Sequence, residues 1–299
     1  MGFLMLNQSA FNSIFVRIFA LIIFSFSLTA CGGGGKSVNP PPASVKFSHV
    51  KMHYSLLKNQ PFVWGETENI HNISLTNFSA KGSTTLDVAN STSLLKNQLI
   101  VYLSTDGSYY ISKIQSLPNA QQIIVSAPLE GAISAGNNAW NFYANSSHAN
   151  THGFKAIADF AVKSLGFGAQ TGGKHVLLGD SWFDEGSIYN RLSQKLTGAT
   201  LINKGIGGNT LQDLITRFDA DVAPHSPEYI WIMSGTNDYW QGVSTAQFKA
   251  NLNTLINKSK AIGAKVIIFD SSVGIGTGDT GVPNHYQSEE YVRVLLELL

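Results

Sequence analysis

Three stretches of small polar residues each follow a short apolar run: Gly179-Asp180-Ser181-Trp182, Asn203-Lys204-Gly205-Ile206-Gly207-Gly208-Asn209-Thr210, and Ser234-Gly235-Thr236-Asn237-Asp238. A serine placed directly after a buried strand and opening toward a helix holds its hydroxyl near free helix N–H donors. Such a hydroxyl is a nucleophile once a neighbouring base takes its proton. Glycines after a strand let a backbone N–H approach a substrate closely. An asparagine amide in the same setting can donate to a developing oxyanion.

These residues need elements to hold them. Before about residue 140 the chain reads as short alternating or apolar runs broken by turn residues, at 98–103 (QLIVYL), 109–114 (YYISKI) and 122–126 (QIIVS). Asp106-Gly107 between two of them reads as a hairpin turn. SLLKNQ occurs twice, at 55–60 and 93–98, which suggests a duplicated β unit within a β-rich module at 45–139. After Gly153 the period becomes helical, with Phe154, Ile157, Ala158, Ala161 and Leu165 on one face. Strands are then expected at 175–178, 200–202, 229–233 and 265–270. They alternate with helices from about 188 and over 211–218, 245–262 and 288–299. That alternation predicts a doubly wound α/β domain with a parallel sheet covered on both faces. Its chemistry belongs at the carboxyl ends of the strands.

The three polar blocks, in order and each after an expected strand, resemble those of the SGNH (GDSL-type) hydrolase family over roughly residues 174–299. The resemblance implies a flavodoxin-like sheet and a serine esterase acting on acyl or acetyl esters of lipid or carbohydrate. It makes Ser181 the nucleophile, with Gly208 and Asn237 completing an oxyanion hole beside the Ser181 backbone N–H. No G-x-S-x-G elbow, no complete dinucleotide-binding glycine loop and no Walker A sequence competes with this reading.

The family's base is a histidine near the C-terminal end, in a pattern like D-x-x-H-P-N before a helix. No such block follows Asn237. His285 precedes the last expected helix, but Asp279 is not three residues before it. By element count the chain stops one strand and one helix short. The stretch 145–154 (NSSHANTHGF), between an expected strand at 138–145 and the helix at 154–165, looks like the missing block. His148 takes the His position and Asn150 the Asn position. The expectation is a circularly permuted hydrolase domain over 140–299, with 140–165 as its displaced last strand, His block and helix. The permuted ends of a domain often lie close together, which makes this rearrangement tolerable. Asn145 stands where the family has its acid, so it can orient the imidazole but supplies no charge. Three readings of the base stand: His148, His285, or none in a truncated or inactive domain.

His148 and His152 have a metal-ligand spacing, but no HExxH pattern or nearby carboxylate supports one, so neither metal nor cofactor is expected. His175 reads as structural, core packing is the default for Trp182, Trp231 and Trp240, and Asp180 is read as orienting the turn around Ser181. Asp238 and His225 take no role.

The chain has 299 residues, 43% hydrophobic and 13% charged, enough to build a sizeable core and far from a disordered composition. With 20 basic and 19 acidic residues it shows no basic excess for nucleic acid. Its single cysteine rules out an intramolecular disulfide. Arg17, the apolar run 18–28 and Leu28-Thr29-Ala30-Cys31 resemble a bacterial lipoprotein signal peptide over 1–30, with Cys31 lipidated. Residues 31–44, rich in Gly and Pro, read as a tether. The expected place is the bacterial cell envelope, lipid-anchored at the outer membrane. A rival reading is an envelope binding lipoprotein with an inactive hydrolase domain; a third is an incomplete gene product.

Overall fold

The computed structural model describes residues 47–50, 70–143, 148–269 and 291. The signal peptide, Cys31, the tether, the first SLLKNQ copy, Asn145, Asp279, His285 and all of the expected last helix except Tyr291 lie outside the described residues. In chain order, β1 (Phe47–Val50) precedes six strands: β2 (Asn72–Leu75), β3 (Thr85–Asp87), β4 (Leu99–Leu103), β5 (Tyr109–Asn119), β6 (Gln122–Val125) and β7 (Gly136–Asn141). Then come α1 (Thr151–Leu165), β8 (Gly173–Gly179), α2 (Ser181–Asp184), α3 (Ser187–Lys195), β9 (Ala199–Gly205) and α4 (Leu211–Asp221). Last are β10 (Tyr229–Met233), α5 (Thr236–Trp240), α6 (Thr245–Ala261) and β11 (Lys265–Phe269).

Five strands form a parallel sheet in the order β1-β11-β10-β8-β9. Strand side chains alternate between faces. Val176, Leu178, Ile230, Ile232, Val266 and Ile268 pack with Leu214 and Phe218 of α4 and Phe248, Leu252 and Leu255 of α6. Leu177, Trp231, Met233, Ile267 and Phe269 pack on the other face with α1, α2 and α3. Both faces are therefore apolar, which is why these strands read as unbroken hydrophobic runs. The chain goes from β8 outward to β9, then back past β8 to β10, so a crevice opens over the carboxyl end of β8.

The other six strands form an antiparallel sheet, β2-β7-β4-β5-β6-β3. Here the structure corrects the expected displaced strand at 138–145. Residues 138–141 of that segment belong to β7, which pairs antiparallel with β2 and β4. The parallel position beside β11 is filled by β1, from within the stretch assigned to the β-rich module. Alternation and apolar runs report a strand but not its neighbour, so the sequence pattern could not separate the two.

The two sheets share a core through α1. Ile100 and Tyr102 of β4 face the antiparallel sheet's own cluster. Leu99 and Val101 face the cluster containing Phe154, Ile157 and Ala161 of α1. A buried ion pair reinforces the junction: Arg191 of α3 donates to both Asp159 oxygens at 2.8 and 2.6 Å and to the Gly107 carbonyl at the β4–β5 turn. Asp159 also accepts the Tyr109 N–H at 2.7 Å.

Candidate active site

Strand β8 ends at Gly179, where a Cβ would lie 2.6 Å from the Met233 carbonyl and 2.7 Å from the Phe183 ring. The missing side chain lets α2 turn tightly over the strand end. Asp180 caps α2, accepting the Trp182 N–H at 3.0 Å, and Ser181 is the first helical residue. The Ser181 hydroxyl lies 2.8 Å from His148 Nε2. At the end of β9, a Cβ on Gly205 would come within 2.2 Å of the Asp184 nitrogen, so this glycine lets the next loop lie against α2. In that loop the Gly207 N–H donates to Asp184 Oδ2 at 2.9 Å. Gly208 follows with φ +80°, a conformation suited to glycine. Among the described residues, neither the Ser181 nor the Gly208 backbone N–H has a hydrogen-bond acceptor.

His148 comes from the segment between β7 and α1. Asn150 fixes that segment: its N–H donates to the Phe142 carbonyl at 2.9 Å, and its Nδ2 donates to the Asn141 carbonyl at 2.5 Å. Asn150 Oδ1 accepts the N–H groups of His152 and Gly153, capping α1. Burial pushes the His148 imidazole below its ordinary pKa, while the Glu185 carboxylate opposes the shift. The ring is therefore neutral near pH 7 and able to accept a proton.

Asn237 lies on α5, where its Nδ2 donates to the Asn209 carbonyl at 3.0 Å; a second amide hydrogen remains. Its neighbour Asp238 is fully buried. The Asp238 carboxylate accepts the Leu211 N–H at 3.1 and 3.2 Å and the Ser234 hydroxyl at 3.1 Å. Burial raises Asp238 to about 6 and Asp180 to about 7, and the charge of Asp238 adds to the second shift. Arg217 joins the same region, donating to Asn209 Oδ1 at 2.8 Å and to the Gly179 carbonyl at 2.9 Å.

The structure thus brings Ser181 and His148 together and links the Gly208 loop to Asn237 through Asn209. Asn150, read by resemblance as the Asn of the His block, is a helix cap. His152 does not join His148: its ring stacks on Trp140 at 3.7 Å and 3°. Among the described residues its Nδ1 has no hydrogen-bond partner, and burial lowers its pKa to about 4. His175 is structural, donating from Nε2 to the Gly172 carbonyl and accepting the Trp231 indole N–H. Trp182 and Trp231 are core residues, whereas Trp240 is 59% exposed. Sequence reasoning missed Asp238, Asp184 and Arg217. The signal for Asp238 was its place beside Asn237 at a strand end; Asp184 and Arg217 look like ordinary polar helix positions until the loops fold over them.

Residues 166–298 match the model of the GDSL-like Lipase/Acylhydrolase family. The chain is 31% identical over 111 residues to an acetylxylan esterase of Geobacillus stearothermophilus, covering 34% of this chain and 50% of that protein. It is 40% identical over 75 residues to an uncharacterized lipoprotein, YqeF, of Bacillus subtilis, covering 23% and 31%. It is 31% identical over 82 residues to the esterase TesA of Pseudomonas aeruginosa, covering 27% and 41%. The chain spans half or less of the length of these relatives. The matched family segment contains Ser181, Gly208 and Asn237 and begins after His148. Over residues 166–298, less than half of its length, this chain is similar to the GDSL-like Lipase/Acylhydrolase family.

Proposed function

We propose that the protein is a serine ester hydrolase in which His148, from outside the family segment, is the base for Ser181. The observation that carries this reading is the 2.8 Å contact between Ser181 Oγ and His148 Nε2 at the carboxyl end of β8. His148 Nε2 takes the hydroxyl proton as Oγ attacks the ester carbonyl carbon, and the carbonyl π pair moves onto oxygen. The oxyanion accepts from the N–H groups of Ser181 and Gly208 and from Asn237 Nδ2. Collapse breaks the bond to the alcohol oxygen, which receives the proton from His148. A water then gives a proton to His148 and attacks the acyl carbon, and collapse frees the acid and restores Ser181. Asn145 is assigned to orienting the imidazole.

The domain is read as circularly permuted. With β1 counted last, the parallel sheet has the flavodoxin-like order 2-1-3-4-5, and the His148 segment and α1 follow that strand after the inserted antiparallel sheet. The substrate class is an acyl or acetyl ester of carbohydrate or lipid. The name of the Geobacillus relative supports the acetylated carbohydrate, and exposed Ile206 and Trp240 offer apolar surface within three residues of Gly208 and Asn237. The protein is assigned to the bacterial cell envelope through a lipid on Cys31, a reading supported by the Leu28–Cys31 pattern and by the lipoprotein name of the Bacillus relative.

Hydrolysis of p-nitrophenyl acetate by the full chain tests the reading. Turnover that vanishes in Ser181→Ala is the expected result. A folded wild type without Ser181-dependent turnover contradicts it, and would favour the binding lipoprotein.

A further inference from the structure

Asp238 is a buried carboxylate for which the reaction above has no use. Two strand-end segments meet at it. One is its own segment, 234–238, which carries Asn237. The other is the loop after β9, which carries Gly208 and enters α4 at Leu211. The Asp238 oxygens hold the Leu211 N–H at 3.1 and 3.2 Å and the Ser234 hydroxyl at 3.1 Å. Beside them, Asn237 Nδ2 holds the Asn209 carbonyl at 3.0 Å. The two side chains thus clasp the Gly208 loop at Asn209 and Leu211, just beyond Gly208. The Leu211 N–H is also one of the first-turn donors of α4, which have no partner within the helix.

We propose that Asp238 is a positioning residue whose ionised carboxylate holds the Gly208 and Asn237 segments in register as one oxyanion-binding unit. The proposal rests on the esterase reading above. Oxyanion donors work because they are already aimed at the position the charge will take, so a small loss of register weakens the transition state more than the ground state. Only the carboxylate accepts from Leu211 and Ser234 with both oxygens. An acid hydroxyl in the same place turns one acceptor into a donor facing an N–H.

The titratable groups around Asp238 are Asp180 from the end of β8, Asp213 on α4, and Tyr239 and Tyr291 near α5. None of them is a cation; the nearby Arg217 of α4 donates to Asn209 Oδ1 and the Gly179 carbonyl. Burial raises both carboxyls, and the geometry favours the charge on Asp238, whose oxygens accept from two donors, the Leu211 N–H and the Ser234 hydroxyl. Below about pH 6 the clasp is protonated, and His148, held under its ordinary pKa by burial, also loses its base form as pH falls.

The test is the pH dependence of p-nitrophenyl acetate turnover by the full chain, wild type beside Asp238→Asn, Ser234→Ala and Ser181→Ala, with folding checked by circular dichroism. In wild type the acid limb of kcat/KM should fall with two protons, for His148 and Asp238. Folded Asp238→Asn should lose about tenfold or more in kcat with KM within about twofold, and its acid limb should fall with one proton. Ser234→Ala removes one donor to the carboxylate, so its acid limb should move to higher pH. Folded Asp238→Asn with kcat within about twofold of wild type and an unchanged limb overturns the proposal while leaving the esterase reading intact. If Asp238→Asn does not fold, Ser234→Ala decides: an unmoved acid limb overturns the proposal. Absence of Ser181-dependent turnover in wild type overturns both.

Discussion

At the scale of single residues, Ser181 and His148 share one hydrogen bond although 33 positions separate them in sequence. A helix cap next to each fixes its backbone. Asp180 caps the helix that starts with Ser181, and Asn150 caps the helix that follows His148. If Asn237 is an oxyanion donor, Asn237→Ala should lower kcat by roughly 10²–10³ with a smaller change in KM, measured on p-nitrophenyl acetate. The pH sign also follows. Burial favours neutral imidazole, so the base form of His148 is present above a pKa held under the ordinary histidine value, and activity should fall as pH drops through it. The three polar blocks stood out because each follows an apolar run and they come in the family's order, and the His148 block was read from its likeness to the family's last block. For Asp238 the sequence showed only its place beside Asn237 at a strand end; its burial and use appear only with the approach of the Leu211 N–H.

At the scale of elements, glycines decide how the strand ends meet. Gly205 has no room for a methyl group against the backbone of α2. Gly205→Ala should push α2, and Ser181 with it, away from β9. The expected cost is about 1–3 kcal/mol by denaturant unfolding, with a loss of kcat that exceeds what the stability change alone explains. Most elements were legible: β10 and α6 match the expected runs within a residue because apolar runs and helical periods report burial directly. What periodicity does not carry is pairing. Residues 138–141 of the expected 138–145 run are a strand, but β7 found its partners in the antiparallel sheet, and the four residues of β1 took the parallel position. A four-residue strand leaves almost no pattern to read.

At the scale of the whole molecule, the antiparallel sheet and the α/β sheet share α1, with the Asp159–Arg191 pair at their junction. The side chains of Arg191 and Asp159 are 11% and 5% exposed. Removing one partner leaves the other charge buried, so Asp159→Ala should cost roughly 3–5 kcal/mol. Because the shared core runs from β4 through α1 to the parallel sheet, wild type should unfold in a single calorimetric transition, and Asp159→Ala should lower its midpoint; two separate transitions in wild type would show that the sheets are independent. The same continuity ties the His148 segment, anchored at the end of β7, to Ser181 at the end of β8.

The most direct measurement is kcat/KM for p-nitrophenyl acetate with the full chain, comparing wild type, His148→Ala and His285→Ala. The account predicts that His148→Ala falls by roughly 10²–10⁴ while His285→Ala keeps wild-type turnover. Loss of activity in His285→Ala with His148→Ala unaffected would contradict it, and would place the base downstream of the three polar blocks rather than before them.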